Sequence, residues 1–359
     1  MSEPQSRPGV LLFNINGNGT GHLSTCLAYA NRLRDRARPV FFSLASAIDA
    51  IHGMGFEAEY FVSRFWSRAT ALAWDRQLAE RLGLVLEHVR PAVIVFDGNW
   101  PYRGLFAAAE AYGQAKLVWS NLMMFKPGTR SVPVSERHFD LVIRLGEIGT
   151  PVEVEQEKGL RRIHIPPATI LKNDQLLNRD TARDHLGLEQ GGRYVLMSLG
   201  PGNLKAVGSI ARRLSARFQK YGYSVVWARG PISRRDDAMP EGAMTISEYP
   251  LARFLRAFDI YVGAAGYNST CEVVQARLPA LLVPNLQVAD DQLRRAHLMA
   301  GCSPAVVSPC DTEDQIQASV AEVVSMVSGR SSIKGIPDLS GADVAAEEIL
   351  ALANRKLPV

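Results

Sequence analysis

Residues 9–22 read GVLLFNINGNGTGH: an apolar run, a glycine-rich turn and the start of a helical pattern. The run Gly9–Asn14 shows no polar alternation, which is typical of a strand buried on both faces of a parallel sheet. Downstream, Leu23, Leu27 and Leu33 share one face of a helix. The stretch therefore predicts a β-strand, a tight turn and an α-helix, which together begin a βαβ unit.

The same alternation of short apolar runs and longer helical patterns continues along the chain. Further runs in the first half are Pro39–Leu44, Ala92–Phe96, Lys116–Trp119 and Asp140–Ile143. Those in the second half are Tyr194–Leu199, Tyr223–Ala228, Ala243–Ile246, Asp259–Val262, Ala280–Val283 and Ala305–Val307. Strands that alternate with helices indicate right-handed crossovers, so we predict a parallel α/β domain in each half.

Residues 164–192 interrupt this alternation with Pro166, Pro167 and a polar segment, and we predict the boundary between the two domains there. A chain of 359 residues is about twice the length of a typical domain, which agrees with this division. Paired domains of this class bind ligands in the crevice at the carboxyl ends of their strands.

The amino-acid composition excludes several classes of function. Hydrophobic residues make up 47% and charged residues 21%, as in a folded globular protein. The net charge of +4 is mild and no concentrated Lys/Arg tract is present, so we expect no nucleic-acid partner. The four cysteines form no C-x-x-C pair and no His/Cys cluster has metal-ligand spacing, so we expect no metal site and no cofactor. The short polar amino terminus and the lack of a run of about 18 apolar residues predict a cytoplasmic protein.

Gly19, Thr20, Gly21 and His22 close the first glycine-rich loop. Glycines let a ligand approach the backbone, and the helix that follows points unpaired N–H groups into the crevice. The loop lacks both the G-x-G-x-x-G spacing of dinucleotide-binding proteins and the Lys-Ser/Thr pair of a P-loop. At the helix start the dipole favours the neutral imidazole that a general base needs. A histidine that merely caps the helix or packs on its first turn is the alternative.

A second glycine-rich turn, SLGPGN, covers residues 198–203 and includes Ser198 and Gly200. Its backbone amides are candidates for binding a diphosphate, although an ordinary strand-to-helix turn would look the same.

A third stretch, residues 258–296, contains a strand and two helix starts. The first helix is predicted to begin near Asn268 and Ser269. Because Ser269-x-x-Glu272 fits a capping box, Glu272 has a purely structural explanation. Further on, Asp290–Gln292 fits a solvated helix start.

Together these loops resemble those of GT-B glycosyltransferases, most closely the MurG-like and UDP-glycosyltransferase group. The segments that carry the resemblance, in order and spacing, are Gly19–His22, Gly266–Glu272, Leu278–Ala280 and Asp291–Gln292. It extends over residues 9–325. It implies two Rossmann-like α/β domains that face each other across a cleft, with the acceptor bound by residues 1–165 and the donor by residues 166–340. Residues 341–359 resemble the C-terminal helix that packs back toward the first domain.

The resemblance also implies roles for individual residues. His22 is the base or a ligand of acceptor oxygens, Asp97 orients it, and the loop Gly19–Gly21 faces the acceptor or a phosphate. The residues implied to bind the donor are Ser198, Gly200, Asn268 and Ser269 at the diphosphate, Gly266 in the same loop, Arg229 as a further phosphate partner, Glu272 at the ribose hydroxyls, Glu248 and Tyr249 at the nucleobase, and Asp291 and Gln292 at the sugar hydroxyls.

The implied activity is an inverting, metal-independent transfer of a sugar from a nucleotide diphosphate, UDP-sugar first and TDP-sugar second, to an acceptor hydroxyl. The acceptor classes are a small molecule, a glycan or a lipid-linked sugar. Apolar residues beside Arg or Lys at 64–66 and 123–127 suit peripheral contact with the inner membrane face or, alternatively, a soluble aglycone pocket. The chain departs from the family in lacking one glycine before His22 and in carrying Ala289 at a position that is often polar.

Other functions are compatible with parts of the pattern. A sugar-nucleotide hydrolase or 2-epimerase of the same fold would need acid and base carboxylates over the donor sugar, for which Asp97 and Glu248 are the candidates. A non-catalytic nucleotide-sugar-binding partner would need neither His22 nor the Asp291–Gln292 pair. A nicotinamide oxidoreductase is disfavoured by the glycine spacing.

Overall fold

The structure, a computed structural model, describes residues 7–16, 19–122, 124, 126, 136–151, 161–200, 204–232, 239–285, 290–328 and 337–355. These residues form two parallel β-sheets, of seven and six strands, and the predicted fold class of two α/β domains is confirmed. Some positions singled out in the sequence lie outside the described residues: Gly17, residues 201–203, Ala289, Met123, Phe125 and Pro127.

The first sheet has the strand order β3-β2-β1-β4-β5-β6-β7, with all neighbours parallel. Its strands are β1 (Gly9–Asn14), β2 (Arg38–Ser43), β3 (Glu57–Tyr60), β4 (Pro91–Asp97), β5 (Lys116–Leu122), β6 (Leu141–Leu145) and β7 (Arg162–Ile165). The helices between them are α1 (Gly21–Leu33), α2 (Ile48–Gly53), α3 (Ala71–Val89), α4 (Arg103–Tyr112) and a short 3-10 helix at Glu136–His138.

The second sheet has the order β10-β9-β8-β11-β12-β13, again all parallel. Its strands are β8 (Tyr194–Ser198), β9 (Ser224–Ala228), β10 (Met244–Ile246), β11 (Ile260–Gly263), β12 (Ala280–Leu282) and β13 (Ala305–Val307). The helices of this half are α5 (Arg179–Leu186), α6 (Leu204–Lys220), α7 (Tyr267–Ala276), α8 (Gln292–Cys302), α9 (Glu313–Ser328), α10 (Gly341–Ala353) and 3-10 helices at Asn173–Gln175 and Leu251–Ala257. Within the described part of the chain, no helix is long and apolar enough to cross a membrane.

Alternate residues of β1 pack into two different clusters. Leu11 and Phe13 join the cluster that contains Trp74 of α3. Val10 and Leu12 join the cluster on the opposite face, which contains residues of α1 and α10. All five of these side chains are fully buried, and each contributes roughly 1.5–3 kcal/mol of hydrophobic stabilisation. Two-sided burial explains why the run at residues 9–14 has no polar alternation.

Each sheet reverses its strand order at one point, between β1 and β4 in the first and between β8 and β11 in the second. At the carboxyl ends of these pairs, Asn14 lies beside Asp97 and Ser198 lies beside Gly263. Such reversal points open the crevice in which α/β proteins bind ligands. The fold thus places the polar strand ends where a ligand site is expected.

Every run predicted to be a strand forms one, and two strands had no prediction. Both, β3 and β7, are edge strands of the first sheet. Residues 57–60 of β3 are half-buried or exposed, so their sequence lacks the apolar run that marks the central strands.

Helix α10 packs against α1 and against strands β4, β5 and β7 of the first sheet. Ala342, Ala345 and Ile349 bury its apolar face. On its polar side, Glu347 pairs with Arg36, in the turn between α1 and β2, at 2.7 Å. The helix therefore joins the end of the chain to the first domain.

Gly341, the first residue of α10, cannot accept a side chain without movement, because a Cβ there would lie 1.9 Å from the carbonyl oxygen of Pro166. We expect Gly341→Ala to displace the start of α10 and lower the free energy of unfolding by about 1–3 kcal/mol. Thermal denaturation measures this effect. Gly83→Ala is the matched control: it lies within α3 with no atom within 4 Å of its added Cβ, so stability should be unchanged or higher. Equal melting temperatures for Gly341→Ala and the wild type would contradict this packing.

Candidate active site

The first half of the site is built at the start of α1. His22 is the second residue of that helix, and its side chain is 14% exposed. Its Nδ1 atom lies 2.6 Å from Oδ1 of Asp97, the last residue of β4. The contact forms because β1 and β4 are adjacent and parallel, so the end of β4 lies beside the loop that leads from β1 into α1.

Asp97 is itself held in place by a buried network. It is 2% exposed, and its Oδ2 atom accepts a hydrogen bond from Ser120 Oγ of β5 at 2.7 Å. Ser120 lies 3.0 Å from the hydroxyl of Tyr29 of α1. A carboxylate at Nδ1 selects the tautomer that has its proton on Nδ1 and a lone pair on Nε2. No described residue hydrogen-bonds to Nε2 of His22, so this atom can accept a proton from a ligand.

The second half of the site lies on α7. The helix begins at Tyr267, with Gly266 as its N-cap and no side-chain cap. The predicted helix start near Asn268 and Ser269 is confirmed, but the N-cap is Gly266, so Ser269 and Glu272 form no capping box. The glycine that ends the loop from β11 sets the helix start, although Asn and Ser are good caps by residue type.

Glu272 carries a partly buried carboxylate. Burial raises its pKa from the ordinary value of 4.5 to about 8. Among the described residues, none donates a hydrogen bond to it. A buried carboxylate without a donor is costly in the unliganded protein and is ready to accept hydrogen bonds from a ligand.

Two buried tyrosines lie close enough to Glu272 for its charge to raise their pKa values further. For Tyr249 and Tyr261 burial is the main cause, and the pKa of Tyr261 rises to about 12. Both phenols therefore stay protonated. The hydroxyl of Tyr261 donates to the carbonyl of Ser198 at 3.5 Å, and that of Tyr249 lies 3.1 Å from Ser24 Oγ of α1.

The two halves meet directly. Asn268, in the first turn of α7, donates from Nδ2 to the carbonyl of Gly21 at 2.9 Å. With the Tyr249–Ser24 contact, this bond brings the amino-terminal ends of α1 and α7 together across one crevice. The first turns of the two helices, where N–H groups lack an acceptor within the helix, therefore lie next to each other.

The loops of the second half approach each other closely. Gly200 has φ of +72°, a conformation that favours glycine. A Cβ on Gly263 would lie 2.6 Å from the carbonyl oxygen of Ser198. Glycine at these positions lets the ends of β8 and β11 lie against the start of α7.

Comparison with solved structures identifies the fold. No protein-family model matches the chain. The UDP-N-acetylglucosamine--N-acetylmuramyl-(pentapeptide) pyrophosphoryl-undecaprenol N-acetylglucosamine transferase of Bacillus licheniformis is 24% identical over 131 residues, which are 34% of this chain and 36% of that protein. The alignment thus spans little more than a third of the relative's length.

Many solved structures match this chain, including two that cover almost all of it. The calicheamicin glycosyltransferase CalG4 superposes with a TM-score of 0.64 and 15% identity, covering 99% of this chain and 100% of CalG4. MnaA of S. aureus, solved with UDP, gives a TM-score of 0.66 at 10% identity, covering 98% and 99% of the two chains. This chain has the GT-B fold. The fold class implied by the sequence resemblance is confirmed.

Asp291 and Gln292, the two residues implied to bind the donor sugar, both form hydrogen bonds within the chain. Asp291 is the N-cap of α8 and accepts a hydrogen bond from the Arg294 amide at 3.2 Å. Gln292 is 7% exposed, and its Oε1 accepts from the Asn285 amide at 3.0 Å. Among the described residues, none accepts a hydrogen bond from the side-chain amide nitrogen of Gln292.

Two further residues implied to bind the donor lie in the second domain. Glu248 pairs with His185 of α5 at 3.6 Å. Arg229, directly after β9, is exposed. The structure pairs His22 with Asp97, and the roles implied for Glu248 and Arg229 stay predictions.

Several residues of the site were missed in the sequence. Ser24 and Ser120 read as small residues within apolar runs, and Tyr261 reads as core. The signal available for Ser120 was its position near the carboxyl end of a predicted parallel strand, where polar residues meet the crevice. Ser24 and Tyr261 carried no comparable signal.

Proposed function

We propose that this chain is an inverting, metal-independent glycosyltransferase that moves a sugar from a nucleotide diphosphate to an acceptor hydroxyl. The observation that carries the proposal is a histidine–aspartate pair at 2.6 Å and a carboxylate without a donor, brought to one crevice by the Asn268–Gly21 contact. The pair supplies a base, and the carboxylate fits a ribose diol. We infer the reaction from these complementary groups and the GT-B fold.

The donor would bind to the second domain. Glu272 would accept hydrogen bonds from both ribose hydroxyls, and the amino-terminal N–H groups of α7 would bind the diphosphate. UDP is the first candidate because the Bacillus relative is named for a UDP-sugar and MnaA was solved with UDP. A TDP-sugar is the second candidate.

Transfer would take place in a single displacement. His22 Nε2 removes the proton of the acceptor hydroxyl while that oxygen bonds to the anomeric carbon. The bond from this carbon to the diphosphate oxygen breaks, and its electron pair leaves with the diphosphate, which inverts the configuration. Asp97 stabilises the imidazolium that forms, and backbone amides of α7 stabilise the charge on the leaving group.

The acceptor would bind to the first domain. Phe65 and Trp66 are 83% and 71% exposed and pack edge to face with ring centroids 5.1 Å apart. Exposed aromatic side chains beside Arg64 favour an acceptor with an apolar group, either a small molecule or a lipid-linked sugar, and peripheral contact with an anionic membrane surface.

Asp97→Asn tests the positioning of the base. An asparagine amide can donate to Nδ1 of His22, which selects the tautomer with a proton on Nε2. We expect turnover to fall by about 10²–10⁴-fold with little change in nucleotide affinity. Steady-state kinetics with a fixed acceptor measures the effect. Asp140→Asn is the control, because Asp140 bonds to Lys116 and the Leu117 amide at the other end of β5. Wild-type turnover in Asp97→Asn would refute the positioning role.

The function itself is tested by product analysis. The protein is incubated in EDTA with UDP- or TDP-sugars and a panel of hydroxyl acceptors, and both nucleotide diphosphate and glycoside are measured. Acceptor-dependent release, with the inverted anomeric configuration by NMR, is the expected result. Release without an acceptor would indicate a hydrolase, conversion of the donor sugar to its 2-epimer an epimerase, and binding without turnover a non-catalytic partner. The candidate carboxylates of the hydrolase and epimerase hypotheses, Asp97 and Glu248, are engaged with His22 and His185.

A further inference from the structure

A buried ion pair joins the two domains beside the crevice. Arg295 of α8 is fully buried, and Glu147, two residues beyond β6 of the first sheet, is 5% exposed. Nε of Arg295 donates to Oε2 of Glu147 at 2.7 Å, and Nη2 donates to Oε1 at 2.7 Å. Two parallel hydrogen bonds fix the guanidinium and the carboxylate in one plane and one orientation.

The same guanidinium contacts two segments of the proposed donor site. Nη1 of Arg295 donates to the carbonyl of Ala265 at 3.1 Å, and Ala265 directly precedes the N-cap of α7. Nη1 also donates to Oδ2 of Asp290 at 3.0 Å, and Asp290 directly precedes the Asp291–Gln292 pair. Arg295 thus contacts three parts of the molecule. These are the segment before α7, the segment before Asp291 and Gln292, and the first domain.

Stability alone gives little reason for such a cluster. Removing two charges from water costs several kcal/mol per ion, and apolar replacements of buried ion pairs are often as stable. Burial by itself would lower the pKa of Arg295, but the hydrogen bonds and charges of Glu147 and Asp290 raise it above its usual range, so the guanidinium stays charged. The planar guanidinium of an arginine fixes the orientation of its hydrogen-bond partners. A hydrophobic contact in the same place would not fix that orientation.

We propose that Arg295 and Glu147 are positioning residues that couple the donor-sugar segment to closure of the first domain. This inference rests on the proposed glycosyl transfer. When the pair is intact, the segment at residues 290–292 keeps its position relative to His22 in the facing domain. Without the pair, nucleotide still binds through Glu272 and α7, but the anomeric carbon is held less well against the base.

The test uses two variants. Glu147→Gln removes the charge and one acceptor, and because it leaves Arg295 buried without its partner it can also lower stability. The double variant Glu147→Leu with Arg295→Met removes both charges of the buried pair. It also removes the partner of Asp290, but that side chain is 30% exposed, so the variant is expected to fold. In both, we expect kcat to fall by about 10–100-fold, since small misplacements of reacting groups have effects of this size, while the dissociation constant for UDP stays within about threefold.

Glu347→Gln is the matched control. It removes the exposed ion pair between Glu347 of α10 and Arg36, in the turn after α1. It is expected to leave kcat unchanged, because exposed pairs contribute little and this one contacts no segment of the donor site.

A second readout does not depend on activity. Spin labels on Leu84→Cys and Tyr221→Cys, which are 65% and 37% exposed, report the distance between the domains. A Cys302→Ser background avoids labelling of the half-buried cysteine, since the other three cysteines are buried. We expect one narrow distance distribution in the wild type and a broader one in the double variant.

Wild-type kcat together with an unchanged distribution in the folded double variant would overturn the coupling. If the wild type transfers no sugar, the proposed function fails, and the distance distribution alone then decides whether the pair holds the domains together.

Discussion

Replacing His22 with alanine is expected to lower turnover by about 10²–10⁴-fold, while affinity for the nucleotide diphosphate changes by less than about threefold. The reason is the geometry of the first half of the site. Nδ1 of His22 is engaged with Asp97 at 2.6 Å, so the imidazole presents Nε2 to a ligand, and alanine removes the group that accepts the proton. The nucleotide contacts proposed for Glu272 and α7 remain.

Steady-state kinetics and calorimetric titration of UDP on the same preparation separate the two effects. His52→Ala is the matched control, because His52 is an exposed histidine on α2 and should leave both quantities unchanged. An His22→Ala variant with full turnover would remove His22 from the mechanism. Loss of UDP affinity in parallel with turnover would instead assign it to donor binding.

Replacing Glu272 with glutamine is expected to weaken nucleotide binding by at least about tenfold, because charge-assisted hydrogen bonds to the ribose are each worth about 1.5–3 kcal/mol. The same change should make the unliganded protein more stable. Burial raises the pKa of this carboxyl to about 8 in the folded protein, from an ordinary value of 4.5. A group that loses function and gains stability on neutralisation is typical of a binding site rather than of a structural contact.

The sign of the pH dependence follows from the raised pKa. Below pH 4.5 the carboxyl is protonated in both the folded and the unfolded chain, and its contribution to folding stability is fully present. Between this pH and about 8 the unfolded chain loses the proton first, so stability falls as pH rises. Glutamine does not titrate, and we expect Glu272→Gln to exceed the wild type in stability by up to about 4 kcal/mol near pH 8.

Thermal denaturation at pH 5 and pH 8 without nucleotide measures this difference. Glu322→Gln, on the exposed side of α9, is the control and should change neither stability nor binding. In the wild type, binding of a ribose diol to the ionised carboxylate releases a proton, so affinity should rise with pH up to about 8. A Glu272→Gln variant that is less stable than the wild type at pH 8, with unchanged affinity, would indicate a structural carboxylate.

The central strands could be predicted from the sequence because a strand that is buried on both faces has a continuous run of apolar residues. Residues 9–13 and 194–197 carry no charged or amide side chain, and the structure places them in β1 and β8, the first strand of each sheet in chain order. Strands β3 and β7 could not be predicted in the same way, because they are edge strands and a partly exposed strand lacks that pattern. The start of α7 was predicted close to its position at Tyr267, but its N-cap was not, because Asn268 and Ser269 are better caps by residue type than Gly266.

The site was predictable where its residues lie in adjacent loops of one domain. Neighbouring parallel strands place the end of β4 beside the loop after β1, and His22 lies 2.6 Å from Asp97. Contacts between the two domains could not be predicted, because they join residues that are far apart in the sequence. Ser24 and Tyr249 are 225 positions apart, and Glu147 and Arg295 are 148 apart. No periodicity or motif in either domain specifies how the two pack together, so these pairs required the structure.

The most direct test of the proposed donor site is calorimetric titration of UDP, TDP, GDP and ADP in EDTA, on the wild type and on Glu272→Gln. The structure leads us to expect that one nucleoside diphosphate, UDP first, binds without metal and that its affinity falls at least about tenfold in the variant. Binding at about a hundred times the dissociation constant should also add about 2.7 kcal/mol of stability, which a thermal scan will detect. If no nucleoside diphosphate binds, or if binding is the same in Glu272→Gln, the assignment of the crevice as a sugar-nucleotide site is contradicted.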